Sequence, residues 1–193
     1  GQGGSSGRWI VSGLGGGVQN ELVADYALRA SRGGSAGTPV GQPRIGLYRP
    51  WSASMDEGWS RWLMEMYGIA HTNLYNADVR AGDLKSRYDV IVLSDMRAGQ
   101  IINGSAPGTV PPRYAGGIGP EGLREIDAFV RAGGTLVTVN GSSQLAIDEL
   151  HLPVSNVIQG VSRDEYFAGG AIVELLVDPS HPVMSGMEER SKV

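Results

Sequence analysis

The sequence predicts an α/β fold of three layers, a parallel sheet flanked by helices, and three observations carry that expectation. From Arg44 onward, strand-like and helix-like patterns alternate with short turns between them. The run Tyr88–Leu93 (YDVIVL) is apolar and β-forming almost throughout, as a strand buried on both faces must be. Pro120–Ala132 carries Leu123, Ile126, Phe129 and Val130 at helical spacing, and Gly133-Gly134 closes it. Right-handed crossovers between such units make the strands parallel and place helices over both faces. This pattern leaves the strand order open.

The elements follow in order. Arg8–Ser12 is a short apolar run ahead of the glycine-rich 14–17, and Glu21–Ala30 reads as a helix. Ser31–Pro43 has the Gly/Ser/Pro content of a linker, so residues 1–43 are expected to form an extension and 44–193 the α/β domain. The first residues, GQGGSSG, look like an expression remnant or a loose end. Arg44–Tyr48 is the first strand of the domain. Ser54–Tyr67 is a helix with Ser54 and Glu57 at capping-box spacing and an inward stripe of Trp59, Trp62, Leu63 and Met66. His71–Leu74 is a second strand, Asn76–Leu84 holds a helical turn that ends in a loop, and Tyr88–Leu93 is the third strand. Ala98–Gly119 has no periodicity and the length of a functional loop. After the helix 120–132 come a strand at Thr135–Val139, a short helix at Ser143–Leu150, and edge strands at Val154–Val161 and Ala171–Val177.

Composition narrows the function. With 41% hydrophobic and 19% charged residues the chain suits a soluble globular protein. A net charge of −4 without a basic block disfavours nucleic acid and anionic membranes as partners. No run is long and apolar enough to span a bilayer. There is no cysteine, which excludes disulfides, thiolate metal sites and a cysteine nucleophile.

Candidate chemistry is sparse. Gly13 and Gly15 fit the first two places of G-x-G-x-x-G, but Val18 takes the third, so a turn explains this stretch better than a dinucleotide site. His71, His151 and His181 are far apart and lack metal-ligand spacing, so no metal site is expected. Ser142 lies on a strand–turn–helix segment, the topology of a nucleophile elbow, and is the one weak catalytic candidate. Against it, the flanking glycines of G-x-S-x-G are missing, and a serine there commonly caps the next helix. The densest cluster is Arg44–Trp62 (RIGLYRPWSASMDEGWSRW), which holds three of the four tryptophans. A strand that delivers indoles, Asp56, Glu57 and Arg61 to a helix start can build a crevice at the carboxyl edge of a sheet. It can equally be a packed helix–sheet junction with Glu57 and Arg61 paired at i, i+4. The crevice reading takes Arg49, Trp51, Asp56, Glu57, Trp59, Arg61, Asp95 and Asn103 as binding residues. An alternative from another class is a hydrolase using Ser142, or Asp56 and Glu57 with Asp95.

Segments 44–62, NADVRAGDL (76–84), YDVIVLSD (88–95), GQIINGSAPGTVPPRYAGGIGPEGL (99–123), GGTLVTVN (133–140) and DPSHPVMSGM (178–187) together resemble a C-terminal region of bacterial M14-type zinc carboxypeptidase-like proteins. That region is similar to class I glutamine amidotransferases, which are flavodoxin-like. The resemblance covers about residues 44–190. It implies a covalently linked peptidase domain as partner, with zinc held there and no cofactor in this segment. It also implies a periplasmic or extracellular place. The amidotransferase cysteine would fall near Asn140-Gly141, where no comparable nucleophile stands. The expected function is therefore a non-catalytic accessory domain that packs on its neighbour or binds peptide or glycan.

Overall fold

The computed structural model describes residues 2–3, 9–31, 33, 38–39, 41–52, 54–184 and 187–192. Most of the expected tail at 1–7, Arg8 of the first apolar run, and positions 32, 34–37 and 40 of the expected linker lie outside the described residues. The chain divides into two compact units, one of residues 1–42 with 162–193 and one of residues 43–161.

In the first unit, β1 (Gln2–Gly3) pairs antiparallel with both β2 (Trp9–Ile10) and β3 (Thr38–Pro39). Between β2 and β3 runs α1 (Gly16–Asp25), which buries no residue. It starts and stops five residues earlier than the expected 21–30. Ala27 at φ +49 leaves the helical region and blocks extension to Ala30.

The second unit holds the sheet. Its strands are β4 (Ile45–Tyr48), β5 (His71–Leu74), β6 (Val90–Leu93) and β7 (Thr135–Thr138), all parallel, in the order β5-β4-β6-β7. This is an α/β fold with a parallel sheet flanked by helices, flavodoxin-like in its coarse outline. The connections are α2 (Met55–Met66), α3 (Asn76–Arg80), α4 (Leu84–Arg87), α5 (Ala98–Asn103) and α6 (Gly119–Arg131), and α7 (Ser143–Glu149) follows β7.

One face carries the main core. Tyr48, Leu74, Ile91 and Leu93 of the strands meet Val79, Leu84, Ile101, Ile126, Phe129 and Leu145 of α3 to α7. Leu47 and Val92 are also buried, and strand alternation turns them to the opposite face, where α2 crosses β4. The expected stripe of α2 is reversed. Trp59 is 58% exposed, Trp62, Leu63 and Met66 are exposed as well, and the one buried residue of the helix is Glu57. Its inward row is Glu57, Arg61 and Met64, which share a face at i, i+4 and i+7.

Other expectations are corrected locally. The stretch 98–119 is not featureless: it contains α5 and a 3-10 turn at Pro112–Tyr114. The loop after Gly82 contains α4. Val154–Val161 forms turns instead of a strand, because Asn156 Oδ1 accepts from Ile158 N (3.2 Å) and folds the backbone locally. Within 171–177, β8 (Glu174–Leu176) pairs antiparallel with β9 (Arg190–Lys192), outside the parallel sheet.

Candidate functional site

The chain leaves β4 toward β5 on one side, while β6 leads on to β7 on the other. The carboxyl ends of β4 and β6 therefore flank a topological switch point, where open α/β sheets leave a crevice. Here the crevice is a hollow of about 160 Å3. Its floor is Tyr48, the last residue of β4, and Asn76, the first residue of α3 after β5. Pro50, Trp51 and Ser52 of the turn after β4 form one wall. Met96 and Gln100, from the β6–α5 junction and α5, form a second, and Gly104, Ser105 and Tyr114 close the third.

Hydrogen bonds fix the floor. Tyr48 Oη donates to Asn76 Oδ1 at 2.5 Å, and Asn76 Nδ2 donates to the Tyr114 carbonyl at 2.8 Å. Burial pushes the Tyr48 hydroxyl far above the usual phenol range, so it stays neutral. The wall is aromatic. The Trp51 and Tyr114 rings lie 5.1 Å apart and tilted by 58°, and Tyr75 meets Tyr114 edge-on at 5.3 Å. The Arg113 guanidinium sits 5.4 Å and 5.5 Å from the Tyr75 and Tyr114 ring centres.

The loop 104–117 is held shut at its base, which places Tyr114. Gly116 N donates to Ser105 O (2.8 Å) and Ile118 N to Ile101 O (2.9 Å). Arg80 donates to the carbonyls of Ala115 and Gly117. Gly104 and Gly117 have φ of +56 and +54, and a Cβ on Gly104 would run into the Gly117 backbone. Only glycine permits both the left-handed backbone and the close approach.

Of the eight binding residues expected from sequence, only Trp51 lines the hollow; it is 50% exposed. Arg49 continues the sheet, its amide donating to Leu74 O at 2.9 Å. Asp56 and Trp59 lie exposed on α2, and Asn103 is exposed at the end of α5. Glu57 is 6% exposed and is paired with Arg61. Arg61 Nη2 donates to Glu57 Oε2 at 3.2 Å. Arg61 Nε lies as close to Oε1 but off the line of a hydrogen bond, so that contact is ionic only. Asp95 Oδ1 accepts from Gly141 N at 2.8 Å and its carbonyl from Ser54 Oγ at 3.2 Å, tying the ends of β6, β7 and α2 together.

Ser142 is not placed as a nucleophile would be. It is 0% exposed, its Oγ lies 2.8 Å from Leu93 O and 2.9 Å from Val139 O, and it accepts from Val139 N at 2.9 Å. Nor does its side chain cap α7. The hydroxyl instead locks β7 to β6. The turn before it does have an elbow's backbone, with Asn140 at φ +50, a conformation that Asn tolerates better than most residues. Of the carboxylates named with Ser142, Glu57 is paired with Arg61 and Asp95 Oδ1 accepts from Gly141 N, while Asp56 lies exposed on α2. His181 bonds its own loop, Nδ1 accepting from Val183 N at 3.2 Å. Among the described residues no three His, Asp or Glu side chains come close enough to hold a metal ion, and no helix is long and apolar enough to cross a membrane.

Lining residues that the sequence did not single out include Tyr48, Asn76, Gln100, Ser105 and Tyr114, of which the last three lie in the stretch 98–119 expected to be a functional loop. Tyr48 ends a parallel strand, Asn76 and Gln100 lie soon after one, and Ser105 and Tyr114 come from the long loop behind β6. Compared with known proteins, the chain matches no family model, no curated protein and no solved structure.

Proposed function

We propose that residues 43–161 are a class I glutamine amidotransferase-like domain without its nucleophile, working as a non-catalytic accessory domain of a zinc carboxypeptidase-like protein. In this reading its partner is the linked peptidase domain, zinc belongs to that domain, and the hollow at the switch point takes a peptide or a glycan. The observation that carries it is the coexistence of an open hollow between β4 and β6 with an elbow that offers no reactive group. Asn140 and Gly141 stand at the turn, and the nearby hydroxyl of Ser142 is sealed and engaged. The resemblance to the peptidase-associated region supplies the parentage, and the flavodoxin-like sheet order is consistent with it.

Calorimetric titration of the chain with short peptides and oligosaccharides tests this. A saturable signal that Trp51→Ala abolishes is expected, while ester, amide and glycoside substrates remain intact over the same period. Turnover of any of these by the purified chain, or silence with both ligand classes, overturns it.

A further inference from the structure

We infer that the hollow between β4 and β6 is a subsite for one uncharged sugar ring, stacked on Trp51 and hydrogen-bonded from the floor. This rests on the reading of the hollow as a binding site and narrows it to one ligand class. The size is the first argument. At about 160 Å3 the hollow is well below the roughly 300–1,000 Å3 of pockets that take drug-sized ligands, and it has room for a single ring.

Charge is the second argument. Among the described residues that line it there is no Asp, Glu, Lys, Arg or His. An ammonium or carboxylate entering it would lose water and gain no counter-charge, which is costly. Peptide termini and acidic or basic side chains are therefore poor occupants. Arg113 has its guanidinium against the Tyr75 and Tyr114 rings, and Arg80 is engaged by the carbonyls of Ala115 and Gly117.

Donor and acceptor chemistry is the third. The hydrogen of the Tyr48 hydroxyl is committed to Asn76, so towards the hollow this group offers lone pairs. Asn76 is held at both ends by Tyr48 and the Tyr114 carbonyl, which keeps the floor rigid and the orientation of its amide fixed. Ser52, Gln100 and Ser105 add neutral groups that both donate and accept. A ring with hydroxyls around its rim and C–H bonds on its face matches that set. The rim meets the amides and hydroxyls, and the C–H face meets an indole whose ring is half in water.

Saturation-transfer NMR on the intact chain, read on the probe's own protons, tests the assignment. The probes are methyl β-D-glucopyranoside, N-acetyl-D-glucosamine, glycylglycine and acetate. Transfer to at least one of the two sugars is expected, and none to the dipeptide or acetate. Trp51→Ala should reduce the sugar signal by about fivefold or more. Gln100→Ala should weaken affinity by about fivefold, the loss of one neutral hydrogen bond. Trp62→Ala, which removes an indole exposed on α2, should leave the signal unchanged. If glycylglycine gives transfer that Trp51→Ala abolishes and the sugars give none, the sugar assignment falls and the accessory-binding reading stands. Transfer to sugar that survives Trp51→Ala also ends the assignment. Silence with every probe, together with silence in calorimetry, ends both.

Discussion

Gly104 and Gly117 show how much of the site rests on two missing side chains. Each has a left-handed backbone, and each stands where a Cβ would strike the other strand of the loop. On Gly117 it would strike the Ile102 carbonyl. Gly117→Ala is expected to destabilise the protein by about 2–4 kcal/mol, combining left-handed strain with a backbone clash. A urea melt measures the loss, and a change under about 0.5 kcal/mol would mean that the loop base is not rigid. Ser142 carries a related prediction. With its hydroxyl bonded to Leu93 and Val139, Ser142→Ala should cost about 0.5–1.5 kcal/mol, because the ends of β6 and β7 lose a bridging hydrogen bond while Val139 N and Leu93 O keep each other. A serine that served catalysis alone would leave the melt unchanged. The residue type was readable from the sequence, but not its burial: a serine after a strand reads first as a helix cap and second as a nucleophile, and a bridge between two strand ends depends on non-local pairing.

At the scale of elements, α2 combines a legible part with an illegible one. Its boundaries follow from Ser54, whose Oγ accepts from Glu57 N at 3.2 Å, with Asp56 and Glu57 in the first turn. Ser54→Ala should cost about 1 kcal/mol in the same melt, since it removes the cap and also the bond to Asp95. Its facing was not legible. Apolar spacing points Trp59, Trp62, Leu63 and Met66 inward, whereas the helix rests on the Glu57–Arg61 pair and Met64. A mutually neutralised pair can sit under a helix, and no hydropathy pattern registers that neutralisation. The helix α5 escaped notice for another reason: its six residues bury only Ile101, too little for a period. The starts of β4 and β6 carry a pH prediction. Asp89 accepts from Arg44 N (2.9 Å), Nε (3.0 Å) and Nη2 (2.8 Å), and these bonds hold its carboxyl well below the usual carboxylate range. A carboxyl depressed in the folded state binds a proton more readily when unfolded. Its contribution is present in full above the ordinary carboxylate range and fades as pH falls through that range. The stability difference between wild type and Asp89→Asn should therefore be constant above about pH 5 and shrink steadily below it. A difference that stayed flat down to acid unfolding would remove the role of the pair.

For the molecule as a whole, the sequence made four strands and the α6 helix legible, because each is a separate local signal. The order β5-β4-β6-β7 and the hollow it creates were not legible, since they depend on which non-local strands pair. The order has a measurable consequence. In β6 Ile91, Val92 and Leu93 are buried, and strands flank it on both sides, so its amides should open only with the whole second unit. Among the described residues β7 has a neighbour on one side alone. Thr135 N and Val139 N donate to Asp89 O (2.9 Å) and Leu93 O (3.1 Å), so parallel pairing turns the alternate amides of Leu136 and Thr138 toward the open edge. Hydrogen exchange followed by NMR should then show the β6 amides among the slowest in the chain. In β7 it should show alternation, with Thr135 and Val139 slow and Leu136 and Thr138 fast. The same face of β7 leaves Val137 and Val139 exposed, so burial gives its amides no second source of protection. Uniform slow exchange along β7 would mean that another strand pairs with that edge in solution, and the switch-point geometry would then have to be redrawn on a five-stranded sheet.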